Sequence, residues 1–87
     1  MDYLIVYDIS DHKKRVKISR ILQKYGFRIL YSAFYLPDVN EDLIKKLYEI
    51  FKDMINEESD RIFFYPVSAP EVFKGYPLEP WKVFVFE

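Results

Sequence analysis

The sequence predicts an α+β sandwich in which two helices cover one face of an antiparallel sheet. Apolar strand-like runs alternate with two amphipathic helical segments, and one of these runs is long enough to form two strands. The chain has 87 residues, which is enough for a single core and too few for a second domain. Residues 1–87 are therefore expected to form one domain.

The first strand is predicted over residues 3–8, where Tyr, Leu, Ile and Val follow one another without polar alternation. Such a run is typical of a strand that is buried on both faces. Asp8 ends the run with a carboxylate, at the point where a buried strand reaches solvent. We interpret Asp8 as a candidate site residue; the structural alternative is that it caps the following turn.

A helix is predicted over about residues 12–25, capped by Ser10 or Asp11 and ended by Gly26 in a left-handed conformation. Its apolar residues recur at helical spacing on one side and its basic residues lie on the other. The apolar positions are Ile18, Ile21, Leu22 and Tyr25, and the basic positions are Lys13, Lys17, Arg20 and Lys24. The basic side is expected to face solvent.

Residues 27–36 are predicted to be extended, as one strand or as two. A second helix follows over about residues 40–56, with Asn40 as its cap. Two more strands are predicted over residues 61–67 and 81–86. This order matches the ferredoxin-like β-α-β-β-α-β plan with an extra C-terminal strand.

One face of this sheet has no helix to cover it. The chain is 51% hydrophobic and 20% aromatic, which is more apolar surface than one small core needs. We therefore expect a homodimer in which two sheets pack face to face.

Composition excludes several classes of function. The absence of cysteine excludes a thiolate nucleophile, a disulfide framework and a sulfur-ligated metal, and fits a reducing compartment. No apolar stretch approaches the roughly 20 residues of a membrane helix, and a strand begins without a preceding signal segment. The protein is expected to be cytoplasmic and to have no membrane partner.

Charge is distributed unevenly along the chain. The net charge of −1 argues against indiscriminate coating of nucleic acid. Residues 12–28, however, contain seven lysines and arginines and no acid, whereas residues 38–60 contain eight acids and three lysines. The basic segment indicates a surface for phosphates, although such a run can also be a solvated helix face.

A chain without cysteine and with a single histidine would need an oxygen-bound metal ion to hydrolyse a phosphodiester. One Asp8 offers too few ligands, but a two-fold axis near the strand end would bring two copies together around Mg²⁺ or Mn²⁺. His12 could act as a general base, although a solvated role fits its lysine-rich surroundings better. Ser10 lacks a base that would activate it, so capping or contact with a metal-bound water is favoured.

Five short motifs follow one another along the chain: residues 7–11 (Tyr-Asp-Ile-Ser-Asp), 14–15 (Lys-Arg), 31–34 (Tyr-Ser-Ala-Phe), 60–62 (Asp-Arg-Ile) and 65–67 (Tyr-Pro-Val). In order and over essentially the whole chain, the sequence resembles the CRISPR-associated protein 2 family. The resemblance implies a ferredoxin-like homodimer in which residues 81–86 cross onto the partner's sheet. It also implies a role in CRISPR spacer acquisition, with the CRISPR-associated integrase and duplex DNA as partners.

The resemblance further implies a metal-dependent nuclease on single-stranded RNA or duplex DNA. Asp8 would be its catalytic residue and metal ligand. Residues implicated in relatives correspond to Tyr7, Arg15, Arg28 and Phe34, while Lys17 stands where some relatives have arginine. Two interpretations remain open: such an endonuclease, or a non-catalytic DNA-binding scaffold of the integration complex.

From the residues and the resemblance together, the predicted site therefore has three parts. Asp8 is the catalytic and metal-binding residue. The nucleic-acid-binding residues are Lys13, Lys14, Arg15, Lys17 and Arg28. The supporting residues are Tyr7, Ser10 and Phe34.

Overall fold

A computed structural model of the chain describes residues 1–67. Within that range the elements are β1 (Asp2–Asp8), α1 (His12–Leu22), β2 (Phe27–Leu30), β3 (Ala33–Leu36), α2 (Glu41–Met54) and β4 (Arg61–Val67). The predicted order is confirmed, and residues 27–36 form two strands. The strand predicted over residues 81–86 lies outside the described residues.

The four strands form one antiparallel sheet in the order β2-β3-β1-β4. This order confirms the ferredoxin-like plan. The central strand β1 pairs with β3 on one side, and with β4 on the other from Asp2 opposite Val67 to Asp8 opposite Arg61. Pro66 belongs to β4, which is an edge strand within residues 1–67, a position where a residue without an N–H is tolerated.

The core lies between the two helices and one face of the sheet. β1 contributes Tyr3, Ile5 and Tyr7 to the core, whereas Leu4 and Val6 are half-buried on the opposite face. The prediction that β1 is buried on both faces is therefore wrong within the described residues, where Leu4 and Val6 are only half-buried. The reason is that nothing within residues 1–67 covers the second face.

The second face, which we call the open face, is largely apolar. Residues that pair across neighbouring antiparallel strands share a face, so the ladder registers define its members. They are Asp2, Leu4, Val6, Asp8, Phe27, Leu30, Ala33, Tyr35, Arg61, Phe63, Tyr65 and Val67. Phe27, Phe63 and Tyr65 are about half exposed, which leaves a patch of aromatic surface in contact with solvent.

Helix α1 begins as predicted and ends earlier. The Asp11 side chain caps it by accepting a 2.9 Å hydrogen bond from the Lys14 N–H. The helix stops at Leu22, and Gly26 does not take the predicted left-handed conformation. A Cβ at Gly26 would lie 2.0 Å from the carbonyl oxygen of Tyr35, so glycine is required by the close approach of β3.

Helix α2 is capped by Asn40, which accepts a 2.8 Å hydrogen bond from the Leu43 N–H, as predicted. It packs Leu47 and Phe51 into the core. No helix in residues 1–67 is long and apolar enough to cross a membrane.

Candidate functional site

Asp8 is exposed on the open face, at the end of β1. Its cross-strand neighbour is Arg61, but the hydrogen bonds of that guanidinium go to other residues. Arg61 instead donates to the carbonyl oxygens of Glu57, at 3.2 Å, and Asp60, at 2.8 Å. Within residues 1–67 the Asp8 carboxylate has no hydrogen bond or ion pair, so its oxygens are available to a ligand.

The loop after Asp8 is held in place by hydrogen bonds from Ser10 to the Asp60 side chain. Ile9 is buried in the core, and Ser10 follows it at the surface. The Ser10 N–H and Oγ donate to Oδ1 of Asp60, at 3.2 and 3.3 Å. Ser10 therefore does not cap α1, which Asp11 does instead, because Asp60 draws the Ser10 side chain toward β4.

Arg15 holds the same loop from the other side. One guanidinium nitrogen donates to the carbonyl oxygens of Ile9, at 2.8 Å, and Ser10, at 3.2 Å. The other lies 3.3 Å from Nδ1 of His12. Arg15 thus anchors the loop that follows Asp8.

The basic side of α1 faces solvent, as predicted. Lys13, Lys17, Arg20 and Lys24 are exposed, and Lys14 is half-buried. All of them except Lys24 project from α1, which begins four residues after Asp8. The protein therefore presents a cationic surface beside its exposed strand-end acid, an arrangement suited to a polyanion.

A second cationic feature lies on the helix-covered side of the sheet. A cleft of about 260 Å³ is lined in part by His12, Arg15, Arg28 and Tyr31. Arg28 donates to the Tyr31 carbonyl oxygen, and its guanidinium lies 4.9 Å from the centre of the Phe34 ring. The cleft brings Arg15 and Arg28 together, which their separation in the sequence did not indicate.

Tyr7 and Phe34 belong to the core. Their rings stack with centroids 6.4 Å apart and are 3% and 0% exposed. Because successive strand residues point to opposite faces, Tyr7 lies on the other side of β1 from Asp8. Any contribution of these two rings to the site is therefore through packing.

The fit of a metal ion depends on Asp8. Residues 1–67 contain no group of three or more His, Cys, Asp or Glu side chains placed to hold a metal. Asp8 nevertheless offers the oxygen ligand that Mg²⁺ and Mn²⁺ prefer, with no competing partner in the described part of the chain. The donor type fits, and the remaining ligands would have to come from a second protomer, from water or from substrate.

Asp60 is the site feature that sequence reasoning missed. Its carboxylate is 3% exposed and accepts hydrogen bonds from three residues: Asn56, Ser59 and Ser10. These bonds, led by that from the Asn56 N–H, hold the pKa of Asp60 below its usual value, although burial opposes them. Two signals in the sequence pointed to it: an acid placed directly before an apolar strand, and its place in the motif of residues 60–62.

Fold and site define a small ferredoxin-like protein with one exposed strand-end acid beside a basic helix. Residues 1–74 match the family described as CRISPR associated protein Cas2. The chain belongs to this family.

Two named relatives are similar in sequence. A CRISPR-associated endoribonuclease Cas2 of Chloroflexus aurantiacus is 42% identical over 73 residues, which cover 79% of this chain and 74% of the relative. Another, of Rhodospirillum rubrum, is 37% identical over 67 residues, which cover 77% of this chain. The chain spans about half of that second relative, 53% of its length.

Two solved structures share the fold. Streptococcus pyogenes Cas2 gives a TM-score of 0.77 at 22% identity, covering 90% of this chain and 99% of that one. A chain of a partial Cas6-RT-Cas1–Cas2 complex gives 0.65 at 24% identity, covering 88% and 89%. At these identities the likeness establishes the ferredoxin-like architecture only.

Proposed function

We propose that this protein is a homodimeric, metal-dependent endonuclease that acts on RNA or DNA during acquisition of new CRISPR spacers. The observation that carries the proposal is the exposed Asp8 carboxylate, which has no partner within residues 1–67 and lies beside a basic helix. Similarity to relatives named endoribonucleases supports the nuclease assignment.

Dimerisation would complete the site. The open face exposes Phe27, Phe63 and Tyr65, and burying it against a second copy removes this apolar surface from water. Asp8 lies on that same face, so a two-fold axis near the end of β1 would place it beside Asp8 of the partner subunit. The two carboxylates would hold Mg²⁺ or Mn²⁺, which when bound would polarise the scissile phosphodiester.

The other residues of the site would bind and orient the nucleic acid. The exposed Lys13 and Lys17 would neutralise backbone phosphates. Arg15 keeps the loop after Asp8 in place through its bonds to two backbone carbonyls. Arg28 would add a further cation to the cleft that it lines with Arg15.

The test is cleavage of labelled single-stranded RNA and duplex DNA with Mg²⁺ or Mn²⁺, comparing wild type with Asp8→Asn. Asp53→Asn is the matched control, because Asp53 is an exposed acid on α2. We expect Asp8→Asn alone to reduce cutting to background. Cutting by Asp8→Asn at the wild-type rate would contradict the nuclease proposal.

A second function is favoured by the extent of the basic surface. Four exposed cations, three on α1 and Lys24 just after it, are sufficient to bind a duplex without any chemistry at Asp8. The protein would then be a dimeric DNA-binding scaffold between copies of the CRISPR-associated integrase, as the name of the Cas1–Cas2 complex of similar fold suggests. Equal background cutting by wild type and Asp8→Asn, with intact duplex binding, would favour this role. Either role belongs in the cytoplasm, where the sequence predicts the protein to be.

A further inference from the structure

Asp60 is buried although it carries a charge. Acidic residues are rarely as little exposed as 3% unless they are paired or fully hydrogen-bonded. Asp60 meets this requirement with hydrogen bonds alone. Its Oδ2 accepts from the Asn56 N–H at 2.9 Å, and its Oδ1 accepts from the Ser59 Oγ at 3.2 Å and from both donors of Ser10.

These bonds join two separate loops. Asn56 and Ser59 belong to the turn between α2 and β4, whereas Ser10 belongs to the loop between β1 and α1. The backbone ladder between β1 and β4 ends at the pair of Asp8 and Arg61. Asp60 therefore continues the connection between the two strands beyond the last ladder pair.

The Ser10 residue is held on both sides. Its N–H donates to Asp60, and its carbonyl oxygen accepts from Arg15. Asp8 lies only two residues before it, within about 7 Å along the chain. The path of the chain directly after Asp8 is thus fixed by two contacts of Ser10, one with Asp60 and one with Arg15.

We propose that Asp60 is a positioning residue for Asp8, acting through the Ser10 loop. The inference rests on the proposed nuclease function. A role confined to the turn before β4 would need only the bonds to Asn56 and Ser59, which are exposed residues that water can also satisfy. The two bonds to Ser10 connect positions 50 residues apart and end beside the candidate catalytic carboxylate.

The test compares Asp60→Asn with Asp2→Asn in the metal-dependent cleavage assay, at a temperature where circular dichroism shows both variants folded. Asp2 is a matched control, because it also accepts hydrogen bonds from a side chain and a backbone N–H, at the opposite end of β1. An amide at position 60 cannot accept from both Asn56 and Ser10. We expect kcat to fall about 10- to 100-fold for Asp60→Asn with KM unchanged, and Asp2→Asn to retain the wild-type kcat.

A wild-type kcat in folded Asp60→Asn would overturn the inference, because the expected effect would be absent. An equal loss of kcat in Asp2→Asn would also overturn it, because the effect would then follow stability. If Asp60→Asn does not fold, Ser10→Gly replaces it. That variant keeps the turn bonds of Asp60, removes the Ser10 hydroxyl and loosens the loop. A lower kcat supports the inference and an unchanged kcat overturns it. Absence of Asp8-dependent cutting in the wild type would instead overturn the proposed function, and this inference with it.

Discussion

Strand β1 carries a carboxylate at each end of the open face, and the two have opposite surroundings. Asp2 accepts hydrogen bonds from the Tyr35 hydroxyl and from the Asp38 N–H. The Tyr35 bond is the main cause of the lowered pKa of Asp2, and it raises the pKa of Tyr35 to about 12. Asp8 has no such partner within residues 1–67.

The difference shows what separates a structural acid from a reactive one. Residue type, strand and face are the same for Asp2 and Asp8, so only their neighbours differ. The lone pairs of Asp2 are occupied by donors that hold β1 to β3 and to the segment after it. The lone pairs of Asp8 remain open to a cation or a donor from outside.

The strongest test of this comparison is to disrupt the open face on which both acids lie. Phe63→Asp places a charge in the proposed interface, so we expect the dimer dissociation constant to rise about 30-fold or more. Cleavage that depends on Asp8 should fall in parallel, while the protomer remains folded. Sedimentation measures the first effect and the nuclease assay the second.

Tyr48→Asp is the control for Phe63→Asp. The two aromatic side chains are 51% and 46% exposed, but Tyr48 lies on α2, with its ring 6.1 Å from that of Phe64 on the helix-covered face of β4. Its replacement should leave the dimer intact. A Phe63→Asp dimer of normal stability would remove the open face as the interface.

The packing of β3, which carries the Tyr35 partner of Asp2, can be perturbed without replacing an acidic residue. Gly26→Ala would place a Cβ 2.0 Å from the Tyr35 carbonyl oxygen, so β3 would have to move. We expect the free energy of unfolding to fall by about 3 kcal/mol. Chemical denaturation measures it, with Gln23→Ala, an exposed residue of the same turn, as control. Equal stability of the two variants would show that the close approach imposes no constraint.

The Asp8 end differs also in its cationic surroundings. Replacing Lys13 and Lys17 together by alanine should weaken duplex binding and reduce the slope of log affinity against log salt by about 2. The matched control replaces Lys45 and Lys46, exposed lysines on the acidic helix α2. If the slope of log affinity against log salt falls equally in both double variants, the basic side of α1 has no special role in binding.

The smallest effect is expected from Asp2→Asn. The pKa of Tyr35 should fall from about 12 toward its ordinary 10.0, because the carboxylate that holds the phenol proton is lost. Tyrosinate absorbance measures this change, with Tyr35→Phe to identify the signal. A Tyr35 pKa that stays near its wild-type value would contradict the assigned hydrogen bond.

The same bond sets two limits on stability. Asp2 contributes stability above its ordinary pKa of 3.8, which is lost as pH falls through its lower folded value. Tyr35 contributes stability below pH 10.0, which is lost as pH rises toward about 12. Asp2→Asn should therefore flatten the pH dependence of unfolding at both ends while leaving Asp8-dependent cleavage unchanged.

Periodicity and capping chemistry were sufficient to predict most of the described fold. Asp11 and Asn40 cap the helices because short polar side chains satisfy free N–H groups in any context. Gly26 could not be predicted correctly, since its reason is the approach of β3 from elsewhere in the chain. The half-burial of Leu4 and Val6 likewise depends on what covers the sheet.

The candidate site was predictable where it depends on a residue's own position. Asp8 and the basic side of α1 follow from a strand end and a helical spacing, and the placement of Tyr7 opposite Asp8 follows from strand alternation. The hydrogen bonds by which Arg15 and Asp60 hold the loop after Asp8 could not be predicted. Their partners include backbone groups, which no side-chain pattern reveals.

The alternation of β1 also makes its length a constraint on the site. Removing or inserting one residue before Asp8 would turn the carboxylate into the core and bring Tyr7 or Ile9 to the open face. Removing or inserting two would keep the carboxylate on the open face and move it by one rung of the ladder. Natural or engineered changes in the length of β1 are therefore compatible with this site only in steps of two residues.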